Sequence, residues 1–549
     1  MRSRAFVAVV VFGAALVSGG WLLQRGLEQA GPSPQSGAHL FQQVFQHVAR
    51  EYVDSLGVDS LYRKAVDGMM GELGDPYSAY LSPDRLENLS ISTSGSYGGL
   101  GIQIDLRDGD IVIVSPIAGT PAERAGIQPG DRIMAIDGRS TRGLTPDDAL
   151  AALRGEPGTT VRITVNRPGV PDDLHFTVVR DEIHVNPVRR ALTLAPGVGY
   201  VNLSVFSEAA ATQLRQAVAR LQESGMRTLL LDLRENPGGL LEQGVDVADL
   251  FLDPGQEIVS TRGRTPEATQ SFVARTRQAW PDLPMIVLVD AHTASAAEIV
   301  AGALQDHDRA VLVGQPTFGK GVAQSVFPLG AGGALKLTTA RWYTPSGRSI
   351  QRLPDSADVD DVPAPDSAGI DGDTAHRATF HTDAGRVVYG GGGIVPDLLA
   401  SNADSSDAVL AFWRELGSNI PAFRNILTDF ALSVKGAHAV SRPDFTVTPR
   451  MRQELLRRMT AAGITMSHES YEAAAPLVDR LIGTTVTRFV FGLDAEFLRG
   501  THDDAILQRA MELARGVRSR RDLMQRTAAA AAHLPTHTAA RRSIVAGVA

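Results

Sequence analysis

The sequence predicts an α/β protein, and three observations lead to that prediction. Strand-like and helix-like segments alternate through residues 183–400, the pattern of a sheet with helices on both faces. Short β-type runs separated by turns fill residues 92–182 and predict a second, β-rich module. Apolar residues recur at helical spacing within residues 38–91 and again after residue 401, so helical regions are expected at both ends.

Composition excludes several kinds of function. The net charge of −8 gives no support for nucleic-acid binding, which needs a basic face. The chain contains no cysteine, so disulfides, thiolate metal sites and cysteine nucleophiles are excluded. The histidines show no spacing typical of a metal site, and neither a metal nor another cofactor is expected.

The N-terminal residues 1–37 predict a signal anchor and a spacer. Arg2 and Arg4 precede an almost uninterrupted apolar run over residues 5–23, about as long as a membrane-spanning helix. Trp21 makes the end of that run a poor cleavage site, so we expect an uncleaved anchor, with a cleaved signal peptide as the alternative. The arginines would stay in the cytoplasm, which places the rest of the chain on the extracytoplasmic side.

A serine at a strand–helix corner is the first candidate for chemistry. Ser295 lies between an apolar run at 285–289 and a helix-like segment at 296–304. The first N–H groups of that helix are unpaired and could stabilise an oxyanion. Lys320 follows between two glycines and could accept the serine proton if desolvation made it neutral. Taken singly, a serine at such a corner is more often a helix cap, and a lysine between glycines is more often part of an exposed turn.

A glycine turn (residues 236–239) is the second candidate. The strand-like run 228–233 is followed by Arg234 and Glu235, and then by Asn-Pro-Gly-Gly. The two glycines, Gly238 and Gly239, would let backbone N–H groups point at a ligand without side chains in the way. A plain strand–helix turn is the alternative.

Residues 92–182 contain strand-like runs at 111–114, 132–136 and 161–165, with one short helix at 146–153. A glycine-rich loop (residues 98–102) opens this module. The set resembles a PDZ domain, in which such a loop binds a peptide's C-terminal carboxylate. The residues that this resemblance assigns to the carboxylate are Leu100, Gly101 and Ile102.

Together the segments between about 40 and 400 resemble the carboxy-terminal processing peptidases, the tail-specific proteases of family S41. The resemblance rests on the PDZ-like module, the glycine turn, the run 293–298 around Ser295, and the runs 316–321 and 343–348. It implies a crotonase/ClpP-like core with an inserted PDZ domain and a Ser–Lys mechanism. The implied site residues are Ser295 as nucleophile, Lys320 as base, Gln324 as the residue that orients the lysine, and Ala296 with Gly238 or Gly239 as the oxyanion hole.

The resemblance also implies partners. Unfolded or flexible protein C-termini are the expected substrates, no cofactor is needed, and a homo-oligomer is left open. Two other functions compete. One is a Ser-His-Asp hydrolase that uses His292 or His307 as the base, and the other is a non-catalytic PDZ scaffold at the cell envelope.

Two segments remain. The acidic insert (about 353–378) within the core lacks the ligand order of a calcium loop and is expected to be solvated and mobile. Residues 401–549 fall outside the resemblance and predict a helical accessory region with a basic tail. Its helices are expected at 408–416, 451–459 and 471–482.

Overall fold

The computed structural model describes residues 34–107, 109–117, 119–167, 170–352, 377–402 and 406–532. The predicted signal anchor, nearly all of the acidic insert and the tail beyond residue 532 lie outside these residues. Within the described part, no helix combines the length and the apolar character that crossing a bilayer requires. The chain separates into two compact units: residues up to Leu81 with Val326–Leu337, and Ser82–Ser325 with Thr338–Ala549.

The first unit contains helix α1 (Pro34–Glu51), helix α2 (Val58–Gly71) and strand β1 (Ala79–Leu81). β1 pairs antiparallel with residues 334–336. The region predicted to be helical over residues 38–91 therefore also contains a short strand, β1. Three residues form a strand there because they pair with a segment about 250 positions away, a pairing that local sequence does not reveal.

The second unit opens with helix α3 (Pro83–Ser94) and a β-rich module. The module's elements are β2 (Ser96–Gly99), β3 (Ile102–Arg107), β4 (Asp110–Pro116), α4 (Pro121–Arg124), β5 (Arg132–Ile136), β6 (Arg139–Ser140), α5 (Pro146–Leu153), β7 (Thr160–Asn166), β8 (Leu174–Val179) and β9 (Asp181–His184). Its antiparallel sheet has the order β3-β4-β5-β7-β8, with β6 beside β5, while β2 pairs with β9. The three predicted strands and the predicted short helix are confirmed.

An α/β core follows the module. Its elements are β10 (Val188–Ala195), β11 (Val198–Leu203), α6 (Ala210–Glu223), β12 (Thr228–Asp232), α7 (Leu241–Asp249), β13 (Glu257–Gly263), β14 (Gln270–Val273), β15 (Met285–Val289), α8 (Ala296–Asp306), β16 (Val311–Gly314), β17 (Val322–Pro328), β18 (Ala334–Tyr343), β19 (Thr379–His381), β20 (Val387–Tyr389) and β21 (Leu398–Leu399). The main sheet has the order β10-β11-β12-β15-β16-β21 and is parallel except at β10. Every residue of β12, β15 and β16 is buried, which explains their continuous apolar runs.

The C-terminal region is helical, as predicted. Its helices are α9 (Asp407–Leu416), α10 (Ile420–Gly436), α11 (Pro449–Ala461), α12 (His468–Ala473), α13 (Ala475–Phe491), α14 (Leu493–Gly500), α15 (Ala505–Ala514) and α16 (Arg520–Ala532). The segment 471–482, predicted to be helical, is helical except at Ala474, which separates α12 from α13. Pro476 lies in the first turn of α13, where a proline fits without losing a helical hydrogen bond. Short 3₁₀ helices cover Pro266–Ala268, Gly330–Gly332, Gly417–Asn419 and Thr501–Asp503.

The C-terminal helices divide between two apolar cores. Helices α9 to α13 build a core of their own around Phe412, Phe423 and Tyr471. Helices α15 and α16 instead lie on the main sheet, where Ile506 and its neighbours pack against Leu288 and the other side chains of that face. Helices α6, α7 and α8 cover the opposite face. The predicted sheet with both faces covered is confirmed, and one covering layer comes from the end of the chain.

Candidate active site

Ser295 lies at the corner where the chain leaves β15 and enters α8. It is the residue before the helix, with φ 56° and ψ −119°, a backbone conformation that residues other than glycine seldom adopt. Ser295 is partly exposed, whereas Ala296 is buried. Ala296 is the first residue of α8, and the first N–H groups of a helix have no acceptor within it. The corner therefore holds an accessible hydroxyl beside a backbone donor that the helix leaves unused.

The glycine turn lies against this corner. Gly238 has a φ of 95°, and a Cβ atom added there would lie 2.7 Å from Ser295 Cβ and 2.9 Å from the Ala296 nitrogen. Only glycine fits so close a contact. The Gly238 N–H donates to Asn236 Oδ1 at 2.8 Å, while Gly239 is exposed. The structure thus brings Ser295, Ala296, Gly238 and Gly239 together. The N–H of Gly238 is already hydrogen-bonded to Asn236.

Lys320 lies in the loop before β17 and is half-buried. Its Nζ donates to Gln324 Oε1 at 2.9 Å, so the lysine and the glutamine that the sequence pairs are in contact. The Lys320 carbonyl accepts a hydrogen bond from Trp342 Nε1 at 3.0 Å. A Cβ atom on Gly321 would lie 2.8 Å from the backbone nitrogen of Gln351, so the loop has no room for a larger residue there. These contacts fix the backbone from which the lysine extends.

A buried carboxylate joins the serine corner to the lysine loop. Glu298 Oε2 accepts hydrogen bonds from the backbone nitrogens of Ser295 at 2.8 Å and Lys320 at 3.0 Å. Because both bonds end on one oxygen atom, the two nitrogens are no more than about 6 Å apart. Glu298 Oε1 accepts from Gly319 N at 2.8 Å and Thr317 Oγ1 at 2.5 Å. Burial raises the pKa of the Glu298 carboxyl, although these four donors act in the opposite direction.

A second carboxylate joins the serine corner to the glycine turn. Asp290 follows β15 and accepts hydrogen bonds from the backbone nitrogens of Thr293 at 2.9 Å, His292 at 3.0 Å and Glu235 at 3.1 Å. The Thr293 hydroxyl also donates to the carbonyl of Leu233 at 2.9 Å. Asp290 and Glu298 therefore hold three loops of the site through backbone atoms.

The loop of residues 98–102 opens the β-rich module beside β3, a strand at the edge of its sheet. Leu100 and Ile102 are only 2% and 7% exposed, because their side chains belong to the module's apolar core. Gly101 has a φ of 74°, and a Cβ atom there would lie 2.4 Å from Thr120 Cβ. A ligand at this loop would therefore meet backbone groups rather than these side chains.

His292 and His307, the two possible bases of a Ser-His-Asp mechanism, lie at opposite ends of α8. His292 is near the serine corner, with Nδ1 3.8 Å from Asp290 Oδ2, and its side chain is 52% exposed. His307 caps the far end of α8, about 16 Å from its start at 1.5 Å per residue. Its ring nitrogens contact Asp383 Oδ2 and the Glu257 carbonyl, each at 2.7 Å. Among the residues that the structure describes, no three acidic or histidine side chains are grouped to hold a metal ion.

Sequence reasoning did not single out either structural carboxylate. Glu298 had a signal, because Ser295 and Glu298 form the Ser-x-x-Glu pattern of a helix capping box. Asp290 had a weaker one, an Asp directly after a buried strand. Neither pattern reveals that the carboxylate also reaches a second loop distant in sequence.

Three family models match the chain. Peptidase family S41 matches residues 197–359, a PDZ domain matches 112–167, and the N-terminal domain of the activating protease CtpB matches 24–84. The S41 match includes the glycine turn, the serine corner and the lysine loop.

Named relatives agree with these models. A carboxy-terminal-processing protease of Bartonella bacilliformis is 42% identical over 323 residues, which cover 58% of this chain and 74% of the relative. A carboxyl-terminal-processing protease of Synechocystis sp. is 42% identical over 294 residues, covering 53% and 68%. The solved photosystem II D1 C-terminal processing protease is 32% identical, with 56% and 89% covered and a TM-score of 0.33.

Proposed function

This chain belongs to peptidase family S41, and from that premise we propose that it cuts proteins near their C-termini with Ser295 as nucleophile and Lys320 as general base. It is a serine peptidase with a PDZ domain. The observation that supports the two roles best is the Glu298 oxygen shared by the backbone nitrogens of Ser295 and Lys320. That bridge makes the two residues neighbours although they lie 25 positions apart in the sequence.

In the proposed reaction, the Ser295 hydroxyl attacks the carbonyl carbon of the scissile amide while its proton passes to the neutral Lys320 amine. The C–N bond of the tetrahedral intermediate then breaks, and the lysine returns the proton to the departing amine. Water attacks the resulting ester with Lys320 again accepting a proton, which releases the acid and restores Ser295. Each proton that leaves a nucleophile therefore returns to a leaving group.

The base must be uncharged near neutral pH. A free lysine titrates near ~10.4 and an efficient base near ~7–8, so the protein must shift the equilibrium by roughly three pKa units, or about 4 kcal/mol. Removal of water around the half-buried Lys320 when substrate covers it would act in that direction. Gln324 supports this role because its amide oxygen accepts the Nζ hydrogen bond without a negative charge. A carboxylate at that position would keep the lysine protonated.

The oxyanion would form between the Ala296 N–H and a glycine N–H of the turn. Gly238 N–H is engaged by Asn236 Oδ1, so Gly239, which is exposed, is the better candidate in this arrangement. Two such donors aimed at the developing charge contribute a large part of catalysis in acyl transfer.

The PDZ module would capture the tail of the substrate. β3 is an edge strand, so an extended peptide could pair with its free backbone groups, and the 98–102 loop could bind the terminal carboxylate. Apolar tails fit this role, since the inner faces of β3 and α5 are lined by apolar residues such as Ile104 and Leu153.

The location follows from the N-terminal sequence. The run over residues 5–23, with Arg2 and Arg4 before it, would anchor the enzyme in the cytoplasmic membrane and place residues 38–549 on the extracytoplasmic side. A reporter fused after residue 549 should be active only if it functions outside the cytoplasm.

The experiment that tests the function uses the purified full-length chain in detergent and an unfolded protein with an apolar C-terminus. Ser295→Ala and Lys320→Ala should each lower the cleavage rate at least ~1,000-fold while the circular dichroism spectrum stays unchanged. Lys64→Ala and Ser224→Ala, both at exposed positions, are the matched controls and should cleave at the wild-type rate. Substantial cleavage by Lys320→Ala would rule out the lysine as base.

A further inference from the structure

Arg234 stands between the main sheet and the glycine turn. It comes two residues after the end of β12 and two residues before Asn236. Its backbone nitrogen donates to Asp232 Oδ1 at 3.0 Å, and its guanidinium donates to both carboxylate oxygens of Asp232 at 2.6–3.1 Å. The Tyr200 hydroxyl donates to the same carboxylate at 2.7 Å. The end of β12 and the residue that leads into the glycine turn are therefore joined by largely buried polar groups.

The second partner of Arg234 comes from the end of the chain. Arg234 Nη1 donates to Asp504 Oδ1 at 2.9 Å and Oδ2 at 2.8 Å, across 270 positions of sequence. The side chains of Asp232, Arg234 and Asp504 are 3%, 13% and 17% exposed, so this is a largely desolvated pairing. Burial lowers the pKa of Arg234, but the carboxylates of Asp232 and Asp504 outweigh it and the net shift is upward. Such a pair is strong only while both partners stay in place.

Asp504 is itself held firmly. It caps α15 by accepting a hydrogen bond from Leu507 N at 2.9 Å. Asn402 Nδ2 donates to Asp504 Oδ1 at 3.1 Å, and Asn402 Oδ1 accepts from Ile506 N at 3.2 Å. Ile506 and Leu507 are buried against the main sheet. Asp504 is therefore a rigid support for Arg234, and it lies well beyond residue 359, where the S41 match ends.

The residue just before the glycine turn needs such a support because its backbone is strained. Glu235 has a φ of 54°, a conformation that residues other than glycine seldom adopt. Asp290 holds the Glu235 nitrogen and Asn236 holds the Gly238 nitrogen. Arg234 ties the approach to the turn to β12. A shift there would be passed to Gly238, which lies against Ser295, and to Gly239 beside it.

We propose that Asp504 is a positioning residue for proteolysis: by clamping Arg234, the C-terminal helices hold the glycine turn where its N–H groups stabilise the oxyanion. This inference rests on the proposed function of Ser295 and the turn. The proposal has a specific consequence, because the hydrogen bonds between Arg234, Asp232 and Asp504 involve neither the PDZ module nor Lys320. Loss of Asp504 should weaken stabilisation of the transition state and leave capture of the substrate tail intact.

The test uses Asp504→Asn in the full-length chain. Asparagine keeps the size, remains a good helix cap and can still accept from Leu507, but it removes the charge that Arg234 pairs with. We expect kcat to fall about 10- to 100-fold and KM to stay within about twofold. The Ki of a peptide boronic acid, which forms a tetrahedral adduct on the serine, should rise by the same factor as kcat falls. Asp504→Glu, which restores the charge, should recover part of the kcat.

The control is Asp494→Asn. Asp494 also comes from the C-terminal helices and pairs with a core arginine, Arg190, at 3.3 Å, but its side chain is 83% exposed. It should change none of these quantities. An unchanged kcat in Asp504→Asn would overturn the inference. So would failure of that variant to fold, or a rise in KM without a fall in kcat, because either would make Asp504 a residue of stability or capture. If Ser295→Ala retained activity, the proposed function itself would fail, whatever Asp504 does.

Discussion

At the scale of single residues, the substitution Gly238→Ala is the sharpest test of the close contact between the glycine turn and Ser295. Gly238→Ala would place a methyl group 2.7 Å from Ser295 Cβ on a backbone with φ 95°. We expect kcat/KM to fall at least ~100-fold, since the turn must move away from the serine. The strained conformation should also lower the free energy of unfolding by about 1–3 kcal/mol.

Gly225→Ala is the matched control for that substitution. Gly225 has a φ of 91°, and among the described residues no atom lies within 4 Å of the added Cβ. It should cost about 1 kcal/mol of stability without a change in kcat/KM. Peptidase kinetics and urea unfolding of both variants provide the measurement. Equal kcat/KM values would contradict the close packing of turn and serine.

Glu298 makes a prediction about pH. Burial raises its pKa in the folded protein, so the folded state holds the proton more readily than the unfolded chain. The stability that this carboxyl contributes is fully present below its ordinary value near ~4.3 and is lost as pH rises through the folded value. Glutamine cannot ionise, so Glu298→Gln lacks this pH-dependent contribution to the free energy of unfolding. The difference in unfolding free energy between wild type and Glu298→Gln should therefore shrink as pH rises above about 4.

Urea unfolding at a series of pH values measures that difference. Glu267→Gln, at an exposed position, is the control and should show no comparable trend. Glu298→Gln should also lose activity at every pH, because glutamine offers one acceptor oxygen to four converging donors. A difference that does not vary with pH would show that the Glu298 carboxyl has the same pKa in the folded and unfolded chains, and would contradict the raised pKa.

Sequence reasoning identified the residues that would take part in the proposed chemistry. It did not identify the two carboxylates that accept hydrogen bonds from backbone N–H groups. Lys320 and Gln324 are in contact, and Gly238 lies against Ser295, as the motifs predict. Asp290 and Glu298 were not identified, because no sequence motif reveals that a carboxylate also accepts hydrogen bonds from the backbone of a loop distant in sequence. The loop partners become neighbours only once the sheet has formed.

At the scale of elements, the edge strand β3 and its glycine loop test tail capture. Gly101→Ala would place a Cβ atom 2.4 Å from Thr120 Cβ and force the loop to shift. We expect KM for a substrate with an apolar tail to rise about tenfold, equivalent to 1.4 kcal/mol, and kcat for a short peptide without that tail to stay unchanged. Gly138→Ala is the control, with φ 79° and no described atom within 4 Å of its Cβ. An unchanged KM in Gly101→Ala would argue against capture at this loop.

Elements were predictable where local pattern and tertiary environment agree. β12 and β15 are largely apolar runs because both faces of the sheet are covered, so their sequences identify them. β1 was missed because its strand character comes from pairing with residues 334–336. The break at Ala474 between α12 and α13 has one local signal, because Pro476 fits the first turn of a new helix.

At the scale of the whole molecule, the C-terminal helices do more than extend the chain. α15 and α16 cover one face of the main sheet, and Asp504 reaches the arginine that precedes the glycine turn. The sequence indicated helices there but gave no sign of where they pack. Arg234 and Asp504 lie 270 positions apart, and the composition of the chain allows many other pairs of opposite charge. Only the folded sheet selects it.

The most direct test of the Ser–Lys mechanism is the rate at which Ser295 is labelled by a fluorophosphonate, followed by intact mass across a range of pH. In the wild type and in Lys64→Ala, the rate should rise with pH and level off at a midpoint well below the ~10.4 of a free lysine. In Lys320→Ala, labelling should be slower at least ~1,000-fold and should lose that midpoint. Equal rates and equal midpoints in Lys320→Ala and the wild type would contradict a lysine base.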